Sequence, residues 1–123
     1  MKVLLVDDSE TEIRMMREVL RECRSRIELT AARSVRSARE LLPQNEFELL
    51  LLDLGLPGEN SIEFIRELKA HADWKKLPVI IWTGSNDSEE AKACYAAGAS
   101  GFVTKPISFE RYFDVIAELE GRA

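Results

Sequence analysis

Two cysteines, one histidine and four prolines are all that 123 residues hold of the types that build disulfide frameworks, zinc clusters or proline-rich segments. Cys23 and Cys94 lie far apart among helix-forming residues, so both are expected to be reduced structural thiols. His71 stands in the polar stretch Ala70-His71-Ala72-Asp73 without a second histidine or a cysteine beside it, and is expected at the surface. An excess of positive charge is missing too. Lys plus Arg number 17 against 22 Asp plus Glu, a net charge of -5, which excludes direct nucleic-acid binding as the default function. No apolar run exceeds strand length, and no basic segment followed by an apolar run opens the chain. Neither a membrane helix nor a signal peptide is expected, and the expected compartment is the cytoplasm.

What is present is the composition of an ordinary globular domain, 46% hydrophobic and 32% charged, over residues 1–123. Short aliphatic runs alternate with longer amphipathic stretches five times. That is the pattern of repeated strand-helix units around a parallel sheet covered by helices on both faces. The strands are predicted at Val3 to Val6, Ile27 to Ala31, Leu49 to Leu52, Val79 to Trp82 and Phe102 to Thr104. The first, third and fourth lack alternation, as strands buried on both faces should. Apolar residues recur at helical spacing in Ile13, Met16, Leu20 and Cys23, in Ile62, Ile65 and Leu68, and in Phe109, Phe113, Ile116 and Leu119. Ser9 or Thr11, Ser34, Asn60 or Ser61, Ser88 and Ser108 stand where helices should begin, each offering an oxygen to unpaired first-turn amides.

In such folds the functional cleft lies at the carboxyl ends of the strands. There the sequence places Asp7 and Asp8 after the first strand, Asp53 at the third, Thr83 at the fourth and Lys105 at the fifth. Any one of these alone is ordinary turn or cap chemistry. Three carboxylates converging on one cleft repel, and Lys105 offsets only one charge. A divalent cation brings the sum to zero, and an all-oxygen, water-accessible site suits Mg²⁺ better than zinc. Mg²⁺ held by carboxylates with open positions is typical of phosphoryl-transfer sites.

The segments KVLLVDDS, LLLLDLGLPG, PVIIWTGS and GFVTKPIS, in this order and each ending a strand, resemble the receiver domain of two-component response regulators along essentially the whole chain. The resemblance implies a flavodoxin-like (βα)5 three-layer sandwich with a five-stranded parallel sheet in the order 2-1-3-4-5. It implies that Asp53 is phosphorylated by a histidine kinase or a histidine phosphotransfer protein, acting as a carboxylate nucleophile. Asp7 and Asp8 match the acid pair that holds Mg²⁺, for which Mn²⁺ can substitute, with Asp53 and the carbonyl of Gly55 completing the protein contacts. Thr83 and Lys105 match the hydroxyl and ammonium that bond the phosphoryl group. Thr83 and Phe102 match a coupled pair that switches the surface of the fourth helix, fifth strand and fifth helix, where a downstream protein or a second copy binds. Gly84 matches a small residue beside the phosphoryl group, and Pro106 matches a proline whose preceding peptide is cis. Such a protein modifies only its own aspartate and is otherwise no enzyme.

Two departures from the family pattern stand out. Asn60-Ser61 occupies the place where members commonly carry glycine, and Gly55 replaces a larger side chain, leaving Asp53 open to water. Arg14, Arg17, Arg21 and Arg24 form either a salt-bridged face with Glu10, Glu18 and Glu22 or a kinase-docking strip. With no room for an output domain, a stand-alone regulator is expected, and the stretch Leu77 to Thr83 resembles regulators that accompany bacterial phytochromes and hybrid kinases. The alternatives are a receiver cut from a longer regulator with a DNA-binding or enzymatic output domain, and a phosphorylation-independent interaction module. A dehalogenase-type aspartyl phosphatase would need a carboxylate two residues after Asp53, where Gly55 stands.

Overall fold

Four consecutive leucines precede Asp53, and such a run is stable only where both faces of a strand are covered. In the computed structural model, which describes residues 1–122, the run forms the middle of the sheet. Strands β1 (Lys2–Val6), β2 (Glu28–Ala32), β3 (Leu49–Asp53), β4 (Val79–Thr83) and β5 (Gly101–Thr104) pair in parallel in the order β2-β1-β3-β4-β5. Helices α1 (Glu10–Glu22), α2 (Val35–Leu41), α3 (Ser61–Ala70), α4 (Ser88–Ala97) and α5 (Phe109–Glu120) alternate with them. A short 3-10 turn, Leu42–Gln44, follows α2. This is the flavodoxin-like sandwich that the sequence predicts, with strand boundaries displaced by at most one residue.

The pleat divides the apolar side chains into two layers. Leu4, Val6, Leu50, Leu52, Val79 and Ile81 face one core, which Phe64, Ile65 and Leu68 of α3 and Cys94 of α4 complete. Val3, Leu5, Leu49, Leu51, Ile80 and Trp82 face the other, against Ile13 and Met16 of α1 and Tyr112 and Ile116 of α5. Each fully buried leucine or isoleucine stabilises the fold by about 1.5–3 kcal/mol before chain entropy is charged against it. The sheet is therefore a rigid platform for whatever its strand ends carry.

The helix starts follow the side-chain oxygens with two corrections, at Ser88 and Ser108. Ser9, Ser34 and Asn60 accept from Glu12, Ser37 and Glu63 amides, but α4 is capped by Asp87, which accepts from Glu89 N–H at 2.9 Å, with Ser88 as its first residue. The carboxylate adds a charge–dipole attraction that the neighbouring hydroxyl lacks. Ser108 precedes α5 without a side-chain cap bond. Two residues leave their predicted stripes: Cys23 is exposed just past α1, and Phe109 is exposed in the first turn of α5. The core face of α5 is instead Tyr112, Ile116 and Leu119, which share one side at i, i+4 and i+7.

Candidate functional site

The site begins with backbone bonds that extend the ladder past the strand ends. Asp7 N–H donates to the Ala32 carbonyl at 3.0 Å, and Lys105 N–H donates to the Thr83 carbonyl at 2.6 Å. Both side chains thus leave the sheet from fixed positions. Asp7 Oδ1 accepts from Ser9 N–H at 2.9 Å, and Asp53 Oδ1 accepts from Gly55 N–H at 2.9 Å. The Ser61 hydroxyl, buried at the start of α3, donates to the Asp53 carbonyl at 2.8 Å. A residue that departs from the family pattern therefore ties α3 to the backbone of the central aspartate.

Lys105 Nζ lies 2.5 Å from Glu12 Oε2, 3.2 Å from Asp53 Oδ2 and 3.4 Å from Asp7 Oδ2. Asp53 is only 6% exposed and Asp7 is fully buried. Burial is the main cause that lifts the Asp7 carboxyl to about 6, aided by a bond and repulsion from Glu12 and opposed by Ser9 N–H and Lys105. Burial pulls the Lys105 ammonium down, but the Glu12 bond and the fields of Asp7, Asp53 and Glu12 leave it raised. Tyr112 borders the same cluster, its hydroxyl pushed up first by burial and then by Glu12 and Asp7.

Oxygen atoms of Asp7, Glu12 and Asp53 all lie within 4.8 Å of one another, and Asp7 Oδ2 has no hydrogen-bond partner among the described residues. An orphaned, fully buried carboxylate oxygen in a group with two negative charges left over is what a hard divalent cation satisfies. The donor set fits such an ion. Glu12 is the member that sequence reasoning missed. Ser9-Glu10-Thr11-Glu12 has the spacing of a capping box, in which Glu12 would bond back to the cap residue. Here Ser9 N–H is already taken by Asp7, and the Glu12 carboxylate reaches Lys105 instead. Asp8 is half-buried and outside this three-carboxylate group; its carbonyl accepts from Arg33.

Thr83 is buried at the end of β4, and its Oγ1 accepts from Ser85 N–H at 3.1 Å, which leaves its own proton to donate. Gly84 is exposed with open space where a Cβ would stand. A Cβ on Gly55 would touch Asp53 Oδ1 at 3.4 Å, so this exposed glycine leaves that flank of the carboxylate bare. Phe102 is half-buried on β5 against the α3–α4 core. The expectation of a cis peptide before Pro106 is corrected, since no peptide among the described residues is cis. Trans is the lower-energy form, and Lys105 reaches Asp53 without the alternative geometry.

Around the site, Arg14 pairs with Glu10 and Arg21 with Glu18, as the salt-bridged reading of α1 expects, whereas Arg17 donates to the Leu29 carbonyl. Arg24 falls past the helix at φ 51°. His71 is exposed and stacks on Trp74 at 4.0 Å. The exposed large apolar side chains among the described residues are Tyr95 on α4, Ile107 between β5 and α5, and Phe109 in the first turn of α5. No helix among the described residues is long and apolar enough to cross a membrane.

A doubly wound sheet carries its cleft at the carboxyl edge of the strands, and here that edge gathers acidic side chains around one lysine. Residues 3–117 match the response regulator receiver domain, and the chain belongs to that family. It is similar to the response regulator Rcp1 of Synechocystis sp. (strain ATCC 27184 / PCC 6803 / Kazusa), 31% identical across 96% of this chain and 85% of Rcp1. To PilR of Pseudomonas aeruginosa it is 32% identical, but it spans only 25% of that regulator. Its fold superposes on the phosphorylated cyanobacterial phytochrome response regulator RcpA with a TM-score of 0.85, at 25% identity over 97% of this chain and 90% of RcpA. On the Mn²⁺-bound form of Rcp1 the TM-score is 0.82, at 29% identity over 98% of this chain and 91% of the other.

Proposed function

We propose that Asp53 is the phosphoacceptor of a receiver that takes its phosphoryl group from the phosphohistidine of a kinase or a histidine phosphotransfer protein. The observation that carries this reading is the Asp53 carboxylate itself, held at the sheet edge between Lys105 at 3.2 Å and Gly55 N–H at 2.9 Å inside a cluster with surplus negative charge. A carboxylate oxygen of Asp53 attacks phosphorus and the P–N bond of the donor breaks. The electron pair stays on the imidazole nitrogen, which takes a proton from solvent, and Asp53 becomes an acyl phosphate. Lys105 pairs with the new phosphoryl oxygens, and Thr83, its hydroxyl proton free, donates to one of them. Asp7 and Asp53, with Asp8, Glu12 or the Gly55 carbonyl beside them, would hold Mg²⁺, for which Mn²⁺ substitutes. When bound, the ion neutralises the surplus charge and draws a phosphoryl oxygen toward the site.

Gly84 keeps the approach to Asp53 open, and Pro106 ends the strand behind Lys105. An inward turn of Thr83 draws the half-buried Phe102 with it, and the shift is read at α4, β5 and α5, where Tyr95, Ile107 and Phe109 offer apolar contact to a protein target or a second copy. Acting in the cytoplasm, the protein modifies its own Asp53 and turns over no external substrate. Intact mass after incubation with Mg²⁺ and phosphoramidate tests the reading. A gain of one phosphoryl group in the native chain and none in Asp53→Asn is expected; no gain in either, with a donor active on another receiver, overturns it.

A further inference from the structure

An ammonium has three donors, and Lys105 spends two of them on Glu12 at 2.5 Å and Asp53 at 3.2 Å, with Asp7 Oδ2 in ion-pair range at 3.4 Å. A phosphoryl group on Asp53, larger and more highly charged than the carboxylate, competes with these neighbours for the same ammonium. Asp7 is fully buried and its other oxygen is tied to Ser9 N–H, so it has nowhere to go. Asp53 is the group being modified. Glu12 remains: its side chain is one-third exposed on the first turn of α1, where water and the helix N-terminus can both stabilise a released carboxylate.

We propose that Glu12 is a positioning residue that holds Lys105 in the resting chain and must release it before Asp53 is phosphorylated, so that the Glu12–Lys105 contact sets the rate of phosphorylation. The inference rests on the phosphoacceptor reading above. Its logic is that of differential binding: a bond made in the resting state and lost in the transition state raises the barrier by what it contributes. The Glu12–Lys105 distance is the shortest of the three, as expected of a charge-assisted bond. The carboxylate acts through Lys105, and no role in the bond making at phosphorus is assigned to it.

Glu12→Gln removes the charge and weakens the contact, whereas Glu12→Asp keeps the charge and shortens the reach. At saturating Mg²⁺, fixed beforehand by calorimetric titration of each variant, phosphorylation by phosphoramidate should be about fivefold faster in both, the scale of one charge-assisted hydrogen bond after solvent competition. In parallel, ¹⁵N spectra should show the Lys105 ammonium exchanging its protons with water faster in both variants while the backbone amides keep their native dispersion, which a loss of fold would abolish. If Glu12→Asp keeps the native rate, the effect is charge alone and the latch is wrong. If Glu12→Gln is slower than native at saturating Mg²⁺, Glu12 serves the metal and the latch is equally wrong. Unchanged ammonium exchange overturns it as well. A native chain that gains no phosphoryl group is instead a failure of the phosphoacceptor reading.

Discussion

Lys69 and Lys105 are two half-buried lysines at opposite ends of one sheet, and their surroundings divide structure from chemistry. Lys69, on α3, donates to the backbone carbonyls of Leu77 at 2.6 Å and Lys75 at 3.3 Å, below the amino end of β4. Burial lowers its ammonium from the usual range, because carbonyl dipoles do not replace a counter-charge. At the carboxyl end burial acts on Lys105 in the same direction, but three carboxylates override it and the ammonium is raised. Neutral partners fixed in the backbone make a brace. Charged partners on side chains make a site whose contacts can be exchanged.

Replacing each lysine by methionine keeps the stem and removes the charge, so the pair of variants separates the two environments. Lys105→Met leaves three carboxylates facing one another and should cost about 3 kcal/mol in denaturant unfolding of the metal-free chain at pH 7. Mg²⁺ should restore most of that loss, and a variant as stable as the native chain without metal would break the contrast. The next effect is a pH dependence. The Asp7 carboxyl lies near 6 in the metal-free fold against 3.8 for an ordinary aspartate, so the folded state holds its proton more tightly than the unfolded state does. Its contribution is complete below pH 3.8 and is lost as pH rises through about 6. Stability of the metal-free native chain should therefore fall across that window relative to Asp7→Asn, and the thermal shift produced by Mg²⁺ should grow over the same range.

At the other end, Lys69→Met should lose about 1–2 kcal/mol, equally at pH 5 and pH 7, and leave the rate of Asp53 phosphorylation unchanged. A kinetic effect there would show that the ends are not independent. The smallest effect sharpens the reading of the bare flank of Asp53. Gly55→Val places its Cβ in ordinary contact with the carboxylate and should change stability by less than about 0.5 kcal/mol. It should lengthen the acyl-phosphate lifetime about threefold by excluding water, because an acyl phosphate is a mixed anhydride that decays by attack of water. Decay at the native rate would mean that water reaches the group from another side.

The carboxyl end was readable in the sequence because strand ends are few and the cleft rule says which to inspect. Asp7, Asp53 and Lys105 needed only the position of their strands, and unbroken runs such as Leu49 to Leu52 mark those without ambiguity. Glu12 was not readable for a physical reason. Its local spacing from Ser9 satisfies a capping pattern, and its true partner stands 93 residues away. Asp87 displaced Ser88 as the cap of α4 because two adjacent residues offer similar oxygens and only the helix register chooses between them. Peptide isomers and the exposure of Cys23 and Phe109 depend on how a helix end meets its neighbour, which periodicity does not contain.

The surplus charge at the carboxyl end serves one aspartate. Borohydride reduction converts an acyl phosphate of aspartate to homoserine, so treating the Mg²⁺- and phosphoramidate-incubated chain and mapping its peptides by mass locates the modified residue. Homoserine at position 53, dependent on the metal, is expected. Homoserine at position 7 or 8 instead, or at no aspartate of a chain that had gained a phosphoryl group, would contradict it.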